Sequence, residues 1–205
     1  MLTALVAGLA CVTGLTVAVT GLTRSGPVPD PRATSIPATV RSTVPALTGF
    51  RHARPLRRSV PLRIRIPAIG VNAPVTELGL NADGTVQVPP LDVHNLAGWY
   101  KYGPAPGQRS ASVILGHVDS VTGISVFFRL KQLRPGDLIY LTLADGKTAT
   151  FTVDGVQKAA KSSFPTRAVY GKLGYPALRL ITCGGAFDPA TGHYADNIIA
   201  YAHMI

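Results

Sequence analysis

An all-β domain of seven or eight short strands, carried behind an apolar segment and a linker, is what these 205 residues predict. Three observations predict it. Met1 to Leu22 carries no charged side chain. Residues 23 to 60 are rich in Pro, Ser, Thr and Arg with no apolar period. From there on, β-type runs alternate with Gly, Asn and Asp turns at close spacing, the pattern of a barrel or sandwich. A compact core of about 140 residues buries enough apolar surface to fold unaided.

The first segment, MLTALVAGLACVTGLTVAVTGL, reaches the length of about 20 apolar residues that spans a bilayer as a helix. A cleaved signal is the rival reading, but the run is long for one and has no basic n-region. The flanking arginines all follow the span, so the charge rule alone would leave the domain in the cytoplasm. Long C-terminal domains override that rule, and the expected topology is a single-pass anchor at 1–22 with the domain outside the cell. Cys11 lies within the apolar run, which continues past it, so a lipoprotein reading fails.

Residues 23–60 read as an extracytoplasmic linker that proline stiffens toward extended polyproline II. Seven arginines against Asp30 alone precede residue 60, and Phe50 is the one aromatic among residues 23 to 60. That pattern argues against a nucleic-acid surface. It leaves two uses for the charge, attraction to anionic lipid or wall polymers and simple solvation of a tether.

The catalytic-size domain is expected over 61–205. Its strand candidates are LRIRIPAIGV, TVQVP after the NADG turn, SASVILG, DLIYLTL, KTATFTVDGV after the ADG turn, ALRLITC and NIIAYAHM. LRIRI and ATFTV alternate as half-buried strands do, whereas SVILG and DLIYLTL read as buried on both faces. The stretch SVFFRLKQL places Val126, Phe127, Leu130 and Leu133 at helical spacing, and predicts a short helix that ends before Pro135.

The chemistry concentrates at two strand ends, LGHVDS at 115–120 and LRLITCGG at 178–185. A strand fixes the side chain while the following loop leaves it open to substrate. Cys183 has no disulfide partner in the domain, and a lone thiol in an exported domain is unusual unless it reacts. A free thiol has a pKa of about 8.5 and is mostly protonated at neutral pH, so a nucleophilic cysteine needs a neighbour such as His117 to take its proton. The same imidazole then donates to the leaving amine, which serves both halves of an acyl transfer. The bland alternative is a buried small hydrophobe and an unrelated histidine. Gly184 and Gly185, directly after the thiol, permit close approach of a substrate backbone.

The runs IRIPAIGVNAPV, GLNADGTVQVP, AGWYKYGPAPGQ, SVILGHVDS, VFFRLKQLRPGD and LRLITCGGAFDPATGHYADNIIAYA, taken in order, resemble the successive blocks of the sortases, and most of all the actinobacterial class F group. The resemblance spans about residues 62 to 202. It implies a closed eight-stranded sortase-type β-barrel with one or two short helices, and a catalytic set of His, Cys and Arg. It further implies cleavage of an LPXTG-like sorting signal between Thr and Gly, with transfer to an amine of a peptidoglycan precursor or pilin. Cys183 matches the nucleophile and His117 the general acid/base. The arginine does not carry over, since Asn197 stands about where the family places it. Arg179, four residues before Cys183 on the same face of its strand, is the expected oxyanion stabiliser in its stead, although pairing with an acidic neighbour is an equal reading of it. Asp119 reads either as a support for the imidazole or as a turn cap.

No cofactor is implied. A metal site built from His117, Asp119, Cys183 and His193 matches no familiar zinc spacing. His193 and Tyr194 are placed where they line the groove or lie exposed on a loop, and His52, His94 and His203 are unassigned. Two other readings stand beside the sortase: an L,D-transpeptidase, which would show a Ser-x-Gly-Cys stretch absent here, and a catalytically silent wall-binding module.

Overall fold

The computed structural model describes residues 53–205. The predicted span at 1–22, most of the linker and His52 lie outside the described residues.

The strands are β1 (Pro61–Ile66), β2 (Val71–Leu78), β3 (Ala97–Tyr100), β4 (Ser110–Gly116), β5 (Asp119–Ser120), β6 (Gly123–Ile124), β7 (Leu138–Leu143), β8 (Thr148–Ala160), β9 (Pro176–Asp188) and β10 (His193–Met204). The one α-helix among the described residues, α1, covers Thr166–Tyr170. Eight strands close a barrel in the order β1-β2-β3-β4-β9-β10-β8-β7, and β5 and β6 form a small separate hairpin. The β2–β3 and β4–β9 pairs are parallel and the rest antiparallel.

The interior follows from the alternation. Ile64, Ile66, Trp99, Ile114, Ile139, Leu141, Phe151, Leu178, Leu180 and Ala200 point inward and are essentially inaccessible to solvent, each large one contributing about 1.5–3 kcal/mol. A second, smaller cluster lies outside the barrel wall, where Val113, Ala159, Ile181 and Ile199 meet Val169 of α1. That outer cluster is why SVILG is buried on both faces. DLIYLTL is not: Leu138 and Tyr140 are half-buried and Thr142 exposed, and Tyr140 carries the guanidinium of Arg65, 4.1 Å above its ring.

Three expectations change. The helix predicted at SVFFRLKQL is a single 3-10 turn, Leu130–Gln132. Its four apolar residues do bury, but Val126 N–H donates to His94 O and Phe127 N–H to His117 O. The bonds within the segment, from Phe128 N–H to Ser125 O, Leu130 N–H to Phe127 O and Gln132 N–H to Arg129 O, all span three residues, so no α-helical ladder forms. The run TVQVP makes only the isolated bridge Leu80↔Val86, since Pro89 and Pro90 beyond it have no N–H for a ladder. AGWY, four residues too short to show a period, is instead strand β3.

Candidate active site

The parallel β4–β9 pairing begins with Ser110 opposite Pro176 and runs unbroken to Leu115 opposite Ile181. Carried two residues on, the same offset sets His117, just past the end of β4, level with Cys183 on β9. The faces agree as well. Val113 and Ile181 lie in the outer cluster with Leu115 packed against it, so the period of two along each strand brings His117 and Cys183 to that same outer face. On the other side of β9, Cys183 is paired with Asn197 of β10, and Asn197 in turn with Ala159 of β8. Ile199 beside Ile181 and Tyr201 beside Arg179 put the outward residues of β10 on this face too. The result is one row across four strands: His117, Cys183, Asn197, Ala159. The first three are half-buried, within reach of solvent yet held by strands.

Each strand end has a local reason. A side-chain carbon added at Gly116 would meet Phe127 and Val126 at 2.6 Å, so only glycine lets the segment after the histidine fold back against β4. Gly185 has φ +81°, in the left-handed region that glycine adopts freely, and its bare Cα faces the Asp196 carboxylate. The pairing of β9 and β10 shifts register here, between Tyr194 and Asp196, which ends the regular ladder one residue beyond the thiol. Thr182 points away from the groove and is buried.

Two contacts position the imidazole loop. His117 Nε2 lies 2.6 Å from the Pro89 carbonyl in the β2–β3 connection. A carbonyl can only accept, so the proton sits on Nε2 and Nδ1 is left for exchange. Asp119, two residues on, accepts a hydrogen bond from the Tyr194 hydroxyl at the start of β10. The phenol is pushed up to about 12, chiefly by that hydrogen bond, with burial, the Asp119 charge and Cys183 adding to it. His94 belongs to the same loop cluster, with Nε2 2.6 Å from Thr122 Oγ1. Nothing in the sequence signals the Pro89 carbonyl, since a backbone acceptor has no side-chain signature.

Arg179 shares the face of Cys183 but stands four residues back along β9, about 13 Å at a strand's rise. It is 6% exposed. Its Nε donates to Ala168 O of α1 at 3.1 Å, one terminal nitrogen donates to Leu178 O at 3.0 Å, and the guanidinium lies over the Tyr201 ring at 4.7 Å. Burial pulls its pKa below the ordinary value, and Tyr175, Tyr201 and Asp154 oppose that. It does not meet the thiol or the imidazole in the row. His203 is also away from the row, bonded through Nδ1 to Asp154 at 2.5 Å, and His193 is exposed. Among the described residues no three His, Cys, Asp or Glu side chains are grouped to hold a metal ion.

A thiol on the outer face of a closed barrel, with an imidazole just past the end of the neighbouring strand, is an arrangement suited to acyl transfer through a cysteine. The chain belongs to the Sortase domain family, whose profile matches residues 64–205, and it is a cysteine transpeptidase of that family. Solved structures with the same fold include sortase C-1 from Actinomyces oris (23% identity, 70% of this chain and 72% of that one, TM-score 0.54). Sortase A from Corynebacterium diphtheriae is similar at 22% identity over 73% of this chain and 62% of that one, with a TM-score of 0.54. A Clostridium perfringens sortase D5 transpeptidase matches at 22% identity over 72% and 79% of the two chains, with a TM-score of 0.52. None of the curated proteins matches the chain in sequence. The family membership displaces the L,D-transpeptidase and silent-module readings.

Proposed function

We propose that this enzyme is a membrane-tethered sortase of the class F type that cleaves an LPXTG-like sorting signal between Thr and Gly. It passes the acyl group to an amine of a peptidoglycan precursor or a pilin subunit. The observation that carries the reading is the register that aligns His117 with Cys183 on one open face. The Cys183 thiol gives its proton to His117 Nδ1, the thiolate attacks the threonine carbonyl carbon, and the carbonyl π pair moves to oxygen. As that pair returns, the C–N bond breaks and the departing glycine amine takes a proton from His117. The acyl group remains as a thioester. His117 then removes a proton from the incoming amine, which displaces the thiolate and restores it. An extended peptide laid across the outer faces of β4 and β9 would meet both residues, and the apolar segment at 1–22 would keep the domain beside exported substrates.

Arg179 enters as one assignment for the group that steadies the tetrahedral oxygen, on the strength of its shared face with Cys183. If Arg179→Ala leaves the acylation rate unchanged, it has no part in that step.

The test is incubation of residues 53–205 with LPXTG-type peptides and mass spectrometry of the protein. An adduct on Cys183, absent in Cys183→Ala and released by an added amine, is expected. Absence of any adduct across a panel of related peptides would count against the sorting-signal reading.

A further inference from the structure

The row that carries the chemistry contains no lysine or arginine. Strand register fixes Cys183, Asn197 and Ala159 in it, and His117 stands just past the end of β4. An acyl transfer through a thioester nonetheless develops full negative charge on the carbonyl oxygen, and a site that leaves it bare loses the largest single source of rate enhancement.

We infer that the Asn197 carboxamide is the side-chain donor to this oxyanion. It stands directly across from Cys183 in an antiparallel pair, where Cβ atoms are about 4.5–5.5 Å apart. That spacing lets an Nδ2–H reach an oxygen on the carbon bonded to Sγ. Asn197 is half-buried, so solvent only partly competes for it. Its carboxamide has no hydrogen-bond partner among the described residues, in contrast to its neighbours. Asp196 pairs with Lys158 at 3.4 Å, Tyr194 donates to Asp119, and the Arg179 guanidinium is divided between two carbonyls and a ring. The donor nearest to the nucleophile by register is thus also an uncommitted one. His117, on the far side of the thiol, is left to handle protons alone.

The inference rests on acyl transfer at Cys183 and assigns its oxyanion to a neutral donor. A neutral amide binds the oxygen through a dipole, so its contribution does not depend on its own ionisation.

The experiment compares wild type, Asn197→Ala, the near-isosteric Asn197→Asp and Arg179→Ala, all in residues 53–205, using peptide cleavage and alkylation of Cys183 by iodoacetamide. Alkylation at carbon generates no oxyanion, so it reports the thiol alone. Expected for both Asn197 variants is a fall in kcat of about 10²- to 10³-fold, with KM, alkylation rate and melting temperature close to wild type. Asn197→Asp should be the worse, since a carboxylate repels the oxyanion. A fall in kcat confined to Arg179→Ala, with both Asn197 variants at the wild-type rate, would assign the oxygen to Arg179 and overturn the inference. Wild-type kcat in both Asn197 variants overturns the inference while the transpeptidase reading stands. Loss of alkylation in parallel with cleavage also overturns it, since Asn197 would then act on the thiol. An inactive wild type removes the sorting-signal reading itself, and the inference with it.

Discussion

At the scale of single residues, the bond from Tyr194 to Asp119 ties the loop after the imidazole to the strand beyond the thiol, 75 residues away in the chain. Sequence reading leaned toward a turn cap for Asp119, because short polar residues after a strand usually bond their own backbone. A partner this distant leaves no local trace. The phenol's pKa is raised from 10.0 to about 12 in the folded chain, so the neutral form is the one that folding favours. Its contribution is therefore complete below pH 10 and fades as pH rises from about 10 to about 12. Tyr194→Phe should cost about 1–2 kcal/mol at neutral pH, the range for a hydrogen bond to a charged acceptor that is partly wet. Urea melts of both proteins across pH should show that gap constant to about pH 10 and shrinking beyond it. A gap that grew with alkalinity would mean the phenolate is the bound form, contrary to the donor assignment.

At the scale of elements, the site depends on α1 lying against the outer faces of β4, β8, β9 and β10. A five-residue helix has too few internal hydrogen bonds to persist alone, and neither its sequence TRAVY nor its flanks predicted it. Tertiary contacts hold it: Val169 in the outer apolar cluster, and Arg179 donating to its Ala168 carbonyl. Conversely, SVFFRLKQL has a clear helical period, but its internal hydrogen bonds span three residues and not four. Period reports which residues bury and says little about which hydrogen bonds close. His117 and Cys183 stood out as candidates because both follow unmistakable apolar strands. The register that aligns them was not legible, since strand adjacency in a barrel is a long-range property. Arg179→Met keeps the stem and removes the donors. It should destabilise the fold by about 1.5–3 kcal/mol, and hydrogen exchange should show α1 amides losing protection before those of β9. Uniform loss of protection would place the arginine's role in the barrel rather than in the helix.

At the scale of the molecule, residues 53–60 were expected to continue the tether, yet they lie along the barrel. Leu56 N–H donates to Gly107 O at 2.8 Å. Arg58 donates to Lys101 O at 2.5 Å and Gly103 O at 3.0 Å, and its guanidinium lies 4.9 Å from the Trp99 ring. These contacts cover the outer end of β3, the shortest strand of the barrel, and the loop that leads into β4 and so toward His117. Composition hid this, because a strap that binds by backbone acceptors and one stacked arginine looks like linker. Gly107 makes the seat possible: with φ +92° it adopts a conformation that disfavours other residues, and a side-chain carbon there would meet Leu56 at 2.7 Å. Two changes at distant points in the sequence should therefore have one effect. A chain beginning at residue 61 and a Gly107→Ala chain should each lose about 2 kcal/mol, which for a domain of this size lowers Tm by roughly 4–8 °C. Combining them should cost less than the sum, because the alanine has no Leu56 to strike once the strap is gone. Full additivity in thermal melts would show that the strap and Gly107 stabilise the barrel independently.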